Sequence, residues 1–180
     1  MDDSLSEQIR TKLRADDPEA LALLYDACAS RLFGYLVFRL GRRADAEEVI
    51  QRVFEKAARR RTHLASVKDL ESYLFIMTRN VANDYLTERA RQPQPLGALE
   101  GLLPAPEATP GSDPETTRAL AQALAELPAA QREVIGLRFF AKLEYADIAR
   151  RLGISLNTAA SRVRYGLEKL RQRLTERLER

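Results

Sequence analysis

Six of the eight prolines in this chain fall between Gln92 and Pro114. No helix can run through such a stretch, because each proline removes an N–H and clashes with the turn before it. On both sides the chain is rich in Ala, Leu, Arg and Glu, with only 8 glycines in 180 residues, a composition that favours helix. The pattern predicts an all-α protein of two small helical domains, residues 1–91 and 115–180, joined by a Pro-rich linker over 92–114. The linker is acidic by three charges (Glu100, Glu107, Asp113), and reads as solvated and semi-extended where proline is dense. Leu99, Leu102 and Leu103 form one short apolar patch within it.

In the first domain, Met1 to Asp17 reads as a frayed or short amphipathic lead-in with Leu5, Ile9 and Leu13 on one side. A long helix is expected from Pro18, since proline suits a first turn. Its buried stripe is Leu21, Leu24, Cys28, Leu32, Tyr35 and Leu36, and Gly41-Arg42-Arg43 breaks it. A second helix, from about Asp45 to Arg60, places Asp45, Glu47 and Glu48 near its positive end. Ala46, Val49, Ile50, Val53, Phe54 and Ala57 face inward, while Glu48, Gln51, Arg52, Glu55 and Lys56 form the outer face. Arg61 to Lys68 lacks a regular period and is expected to be a loop. A third helix, from about Asp69 to Ala90, buries Leu70, Leu74, Met77, Val81 and Tyr85. Its polar residues include Arg79, Asn80, Asn83, Asp84 and Arg89.

The second domain opens with a helix from about Thr116 to Leu127, stopped by Pro128, and another from about Ala129 to Phe140. Two further helices surround a tight turn. Ile148, Ala149 and Leu152 stripe the first of them, and Gly153 supplies a left-handed residue that ends it. Ile154 fits the corner between the helices. Ser155 is suited to cap the next helix by accepting a backbone N–H two or three residues on. Ala159, Val163, Leu167, Leu170 and Leu174 form that helix's buried stripe. Asn157, Thr158, Ser161, Arg162, Arg164 and Tyr165 form its opposite face, with Ala160 beside them. Short polar groups and arginines are what a helix in a DNA major groove needs for base edges and phosphates. A plain helical hairpin with a solvated basic face would share the turn. The coincidence of apolar plug, cap and polar leading edge favours a helix-turn-helix.

Charge agrees with that placement. From Glu115 onward there are 13 Lys+Arg against 8 Asp+Glu, whereas residues 1–91 carry 16 against 15. Most of the surplus therefore lies beside the helix-turn-helix, where phosphate neutralisation would use it. One cysteine, Cys28, excludes an internal disulfide, and with one histidine, His63, leaves no set for a zinc site. Cys28 reads as a small core residue. No Gly-rich phosphate loop or nucleophile–base pair argues for catalysis, and no cofactor is expected. No apolar run approaches spanning length and the Met-Asp-Asp-Ser start is unlike a signal peptide, so no membrane insertion and a cytoplasmic location are expected.

The order of these segments resembles bacterial sigma factors of the extracytoplasmic-function (ECF) type, the two-domain minimal members of the housekeeping sigma family. The resemblance runs from Leu21 to Leu174. In the first domain it rests on Leu24-Tyr25, on Asp45 to Phe54, and on Tyr73-Leu74 with Thr78 to Leu86. In the second it rests on Leu124 to Pro128, Arg132-Glu133-Val134, Tyr145 to Ala149, Leu152 to Ser155 and Thr158 to Arg162. The resemblance implies that the Asp45–Phe54 helix docks on the coiled-coil clamp of core RNA polymerase. Asp45, Glu48, Gln51, Arg52 and Glu55 are then the contact candidates. It implies that Leu64, Tyr73, Arg79, Asn80, Asn83, Asp84 and Arg89 meet and melt the downstream promoter element, with Asn80 lining a pocket for an extruded base. It implies that Ser155, Asn157, Thr158, Ala160, Ser161, Arg162, Arg164 and Tyr165 meet the upstream element. Core polymerase, promoter DNA and an anti-sigma protein are the implied partners. The chain departs from the family pattern in having Tyr73 for a usual tryptophan and Leu64 for an aromatic found in some members. Thr87 and Glu88 interrupt the basic cluster after the third helix, and Ala160 replaces a common lysine. The alternatives are a dimeric repressor or activator reading a palindrome, and a sigma-like regulator that does not itself open promoters.

Overall fold

Short polar side chains set where α-helices begin at four points in this protein, Asp2, Asp17, Asp69 and Ser155. The computed structural model describes residues 1–91 and 114–178, and every regular element among them is an α-helix. The expected lead-in is a 12-residue helix, α1 (Asp3–Arg14), which buries Ser6, Ile9 and Leu13. It is part of the folded first unit and not a fray. From within α1, Lys12 Nζ reaches the carboxylate of Asp17, three residues past the helix, at 2.7 Å, and that carboxylate accepts the Glu19 N–H at 2.9 Å. Asp17 thereby satisfies one of the donors that α2 (Glu19–Leu40) leaves open at its start. The Lys12 ammonium also holds the Asp17 carboxyl below its usual range.

Helix α2 carries Ala20, Leu24, Cys28, Leu32, Tyr35 and Leu36 into the interior, with Ala20 in the place expected for Leu21. Contrary to the sequence expectation, α2 is long and apolar enough to cross a membrane by length and composition, the one such helix among the described residues. Its stripe is used here inside a helical core, where Tyr35 meets Phe75 edge-on at 5.9 Å. Burial raises the Cys28 thiol pKa, as suits a small core residue. Gly41, at φ 75°, allows the turn into α3 (Arg43–Arg59). The segment read as a loop contains one helical turn, α4 (Arg61–Leu64), which α1 packs against. Asp69 then accepts the Ser72 N–H at 3.0 Å and opens α5 (Leu70–Arg91).

The chain divides into two compact units, Met1–Leu36 with Ala44–Pro93 and Val37–Arg43 with Gln94–Arg180. Of the proline segment expected as a linker over 92–114, residues 92–113 lie outside the described residues, and Pro114 opens the next helix. Four helices follow: α6 (Pro114–Ala125), α7 (Ala129–Phe139), α8 (Tyr145–Leu152) and α9 (Leu156–Leu178), with α9 packed on the other three. Pro128 separates α6 from α7, and Arg132 Nη2 turns back to donate to the Ala125 and Leu127 carbonyls at 2.7 and 3.1 Å. The Leu-Pro-x-x-x-Arg pattern thus stops one helix and satisfies its last carbonyls from the next.

Helix α9 buries Ala159, Val163, Gly166 and Leu170. A Cβ on Gly166 would stand 2.6 Å from Ile135 Cδ1 and 3.4 Å from Gln131 Cβ, so α9 and α7 touch here almost backbone to side chain. This close crossing corrects the expected stripe. Leu167, one residue further round the helix, is 40% exposed. Leu174 packs with Leu124 against the cluster of Ala123, Leu127, Ile135 and Leu170. Farther along, Lys169 donates to the Glu126 carbonyl at 3.2 Å, and Arg173 and Arg177 both pair with the Glu126 carboxylate. Part of the C-terminal positive charge is therefore met inside the unit.

Candidate nucleic-acid interface

The turn between α8 and α9 is built as its residues dictate. Gly153 sits at φ 64° and ψ 35°, a conformation that costs an L side chain but not glycine. The Ile154 N–H reaches back to the Ala149 carbonyl at 3.0 Å and closes the end of α8. Ser155 Oγ then accepts the Thr158 N–H at 3.0 Å, so the hydroxyl caps α9 at its third helical residue. Behind this corner, Arg138 donates to Glu144 at 2.9 Å and to the Leu143 carbonyl at 3.0 Å, and lies 5.2 Å over the Tyr145 ring. That brace fixes the approach to α8.

The inward stripe leaves the other side of α9 to solvent. Ser155, Asn157, Arg164 and Tyr165 are exposed, while Thr158, Ala160, Ser161 and Arg162 are half-buried. Arg164 lies 4.8 Å over the Tyr165 ring and donates to its hydroxyl at 3.0 Å. Ser161 Oγ returns to the Thr158 carbonyl at 3.1 Å. The face offers amide, hydroxyl and guanidinium groups along the leading half of a helix, the equipment for base edges and phosphates.

In the first unit the candidate side chains are arranged differently. Asp45, a polymerase-contact candidate at the start of α3, is only 7% exposed. It accepts the Tyr85 hydroxyl at 3.0 Å and pairs with Arg89, so both it and Arg89 hold α3 to α5. Burial, and next the hydrogen bond to Asp45, raise the Tyr85 phenol above its ordinary value. Arg52 bridges Glu48 and Glu88, each at 2.7 Å, and lies 5.4 Å over the Tyr85 ring. The hydrogen bonds that Arg52 donates, first to Glu88 and then to Glu48, raise its pKa further. Gln51 and Glu55 are exposed. Between the helices lies a groove of about 310 Å³ lined by Arg52, Glu55, Lys56, Arg59, Val81, Asp84 and Glu88. Leu64 is fully buried, because the α4 turn points it into the core; it is not available at the surface to meet a base. Tyr73 is half-buried, Asn80 is exposed and accepts from Arg79 at 3.2 Å, and Asn83 is half-buried.

Comparison with known proteins matches these two arrangements to two family models. Residues 24–92 match sigma-70 region 2, and residues 123–172 match sigma-70 region 4. Over 167 residues the chain is 32% identical to the ECF RNA polymerase sigma factor RpoE of Cereibacter sphaeroides, covering 88% of each chain. The chain belongs to the ECF RNA polymerase sigma factors. It is also 30% identical over 179 residues to the ECF RNA polymerase sigma factor SigK of Mycolicibacterium vanbaalenii, covering 94% of this chain and 87% of that one. The fold matches the sigma factor RpoE of Bartonella quintana, solved in complex with the anti-sigma factor NepR. The TM-score is 0.67 at 22% identity, over 89% of this chain and 97% of that one.

Region 4 thus contains the α8–α9 corner, and region 2 contains the α3–α5 surfaces. Two exposed residues of this sigma factor escape a reading by residue type. Leu156 opens α9 with 53% of its surface exposed, although a leucine reads as core; an apolar group there suits the methyl of thymine. His63 is exposed on α4 with its ring 5.4 Å from that of Tyr73. The signal for it was the neighbouring run Arg59-Arg60-Arg61, a local exception to the even charge balance of the first domain.

Proposed function

We propose that this ECF sigma factor, which directs promoter-specific transcription initiation, divides the work between its two helical units. In this reading Asn157, Arg162, Arg164 and Tyr165 of α9 read the upstream element in the major groove. The exposed Gln51 and Glu55, with Glu48 and Arg52, dock α3 on core RNA polymerase. Asn80, with Arg79 and Tyr73, serves capture of an unstacked base in the downstream element. Asp45 and Arg89 support these surfaces from within. The observation that carries the reading is the capped, outward-facing start of α9 over a buried Ala159–Val163–Leu170 stripe.

Sigma factors as a class are not enzymes, and we read this one as supplying recognition and melting without chemistry of its own. We assign it to the cytoplasm, where polymerase and promoter are, without membrane insertion. An anti-sigma protein is a further proposed partner, supported by the fold match to a sigma factor solved with one. The match to region 2 disfavours a regulator that binds DNA without opening it.

Two substitutions separate the assigned tasks. Arg162→Ala should weaken binding of the polymerase complex to upstream duplex by about 1–3 kcal/mol, the worth of a good arginine–base contact. Asn80→Ala should leave closed-complex binding intact and reduce strand opening detected by permanganate. Equal effects of both variants on closed-complex affinity would refute the division, and normal opening with Asn80→Ala would remove that residue from the site.

A further inference from the structure

We propose that Lys142 is a phosphate anchor for the upstream duplex, held out by a strained turn ahead of α8. The proposal rests on the reading that α9 enters the major groove of that duplex. Lys142 sits at φ 54°, in the left-handed region that an L side chain occupies only at a cost. The turn around it is closely held. Ala141 and Leu143 on either side are buried. The Leu143 N–H donates to the Leu137 carbonyl at 3.2 Å, and the Leu143 carbonyl accepts from Arg138 at 3.0 Å. Glycine would satisfy the same turn without the penalty, as Gly153 does at φ 64° at the other end of α8. A lysine kept where the backbone favours glycine points to a use for its side chain.

The charges around it narrow that use. Lys142 is exposed, and among the described residues its ammonium has no hydrogen bond or ion pair. The neighbouring carboxylates are already engaged, Glu144 by Arg138 at 2.9 Å and Asp147 by Arg150 at 3.2 Å. The lysine is therefore open to an anion from outside. In a helix pair of this kind the first helix crosses the DNA backbone while the second enters the groove. Lys142 stands three residues ahead of that first helix, in a turn that Arg138 ties to Glu144 and to the Tyr145 ring. A point charge on a flexible stem suits a phosphate, which carries no sequence information.

The test uses the full chain assembled with core polymerase, on duplexes carrying its own upstream element or an unrelated sequence. Lys142→Gly should lower the slope of log affinity against log salt by about 0.9, the worth of one phosphate on B-DNA. Counted from 1 M salt, that is about an eightfold loss at 0.1 M, equal on both duplexes. The same variant should melt about 2–4 °C higher, because glycine relieves the turn. Lys142→Arg keeps the charge and should keep the parent slope. If Lys142→Gly keeps the parent slope while Arg162→Ala weakens binding to the upstream element, this proposal is wrong and the reading of α9 stands. If neither variant changes duplex binding, the reading of α9 falls as well. A loss of core-polymerase affinity would make Lys142 a protein contact, and a lower melting temperature would give it a structural role. Either result overturns the proposal.

Discussion

On the leading half of α9 the polar side chains that face solvent make few contacts beyond their own helix, whereas on α3 and α5 the charged side chains hold one another. Asn157 and Arg164 project outward, and among the described residues Arg164 finds only the hydroxyl and ring of its neighbour Tyr165. Asp45, Tyr85 and Arg89 instead form one chain across two helices, and Glu48, Arg52 and Glu88 form another. The two surfaces have the same ingredients and different duties. A group already paired in the protein must give up that pairing to bind elsewhere, so the α9 face is the cheaper one to offer to DNA. The α3–α5 surface is the stiffer, which suits the proposed capture of a melted strand.

The largest expected effect tests the internal side of this comparison. Asp45→Ala should cost about 3 kcal/mol of stability in a urea melt of the full chain, because it strands the Arg89 guanidinium and removes the Tyr85 acceptor. Arg89→Ala should cost less, since that side chain is 25% exposed and its carboxylate partner keeps the Tyr85 hydroxyl. Tyr85 adds a pH signature. Its pKa is raised on folding, so its contribution is complete below the ordinary phenol value of about 10 and is lost as pH rises through the raised one. Tyr85→Phe should flatten that alkaline decline. A stable Asp45→Ala variant with weakened polymerase affinity would return Asp45 to the polymerase contacts and erase the contrast.

What the sequence revealed follows the same division. The α8–α9 corner was legible because each residue there answers a local demand: Gly153 a left-handed turn, Ser155 an open N–H, Ala159 and Val163 a helical period. Asp45 was misread because an acidic residue at a helix start has a sufficient local reason to be there. Its real partners, Tyr85 and Arg89, lie 40 and 44 residues away. Leu64 was misplaced for the opposite reason, since four residues are too few to display a period and the turn that buries it looked like loop. The first helix, α1, was underrated because its burial depends on the α4 turn it packs against.

A smaller effect probes the crossing that orients α9. Alanine raises helix propensity over glycine by about 1 kcal/mol. At Gly166 the added Cβ would meet Ile135 Cδ1, and Ile135 is only 4% exposed, so its methyl has little space to turn aside. Gly166→Ala should therefore be destabilising by about 1–2 kcal/mol despite the propensity gain, as overpacking is. Adding Ile135→Val removes the obstructing methyl and should recover most of the loss. If Gly166→Ala alone raised the melting temperature, the helices would cross more loosely, and the proposed DNA face of α9 would be less firmly aimed.

The smallest effect falls on the cap. Ser155 Oγ accepts the Thr158 N–H at 3.0 Å and sits 2.8 Å from the Thr158 hydroxyl, at the exposed start of α9. Ser155→Ala should cost about 1 kcal/mol of stability, because it leaves a helix N–H without its acceptor. Ser155→Asp keeps an acceptor and adds a charge favoured by the helix dipole, so stability should be kept or slightly improved. The same carboxylate would stand beside DNA phosphates if this end of α9 enters the groove, and upstream duplex affinity should fall. The two readouts thus move in opposite directions for Ser155→Asp and in the same direction for Ser155→Ala. If Ser155→Asp left upstream binding untouched, the cap would be purely structural, and the outward face would have to begin further along the helix, at Arg162 and Arg164.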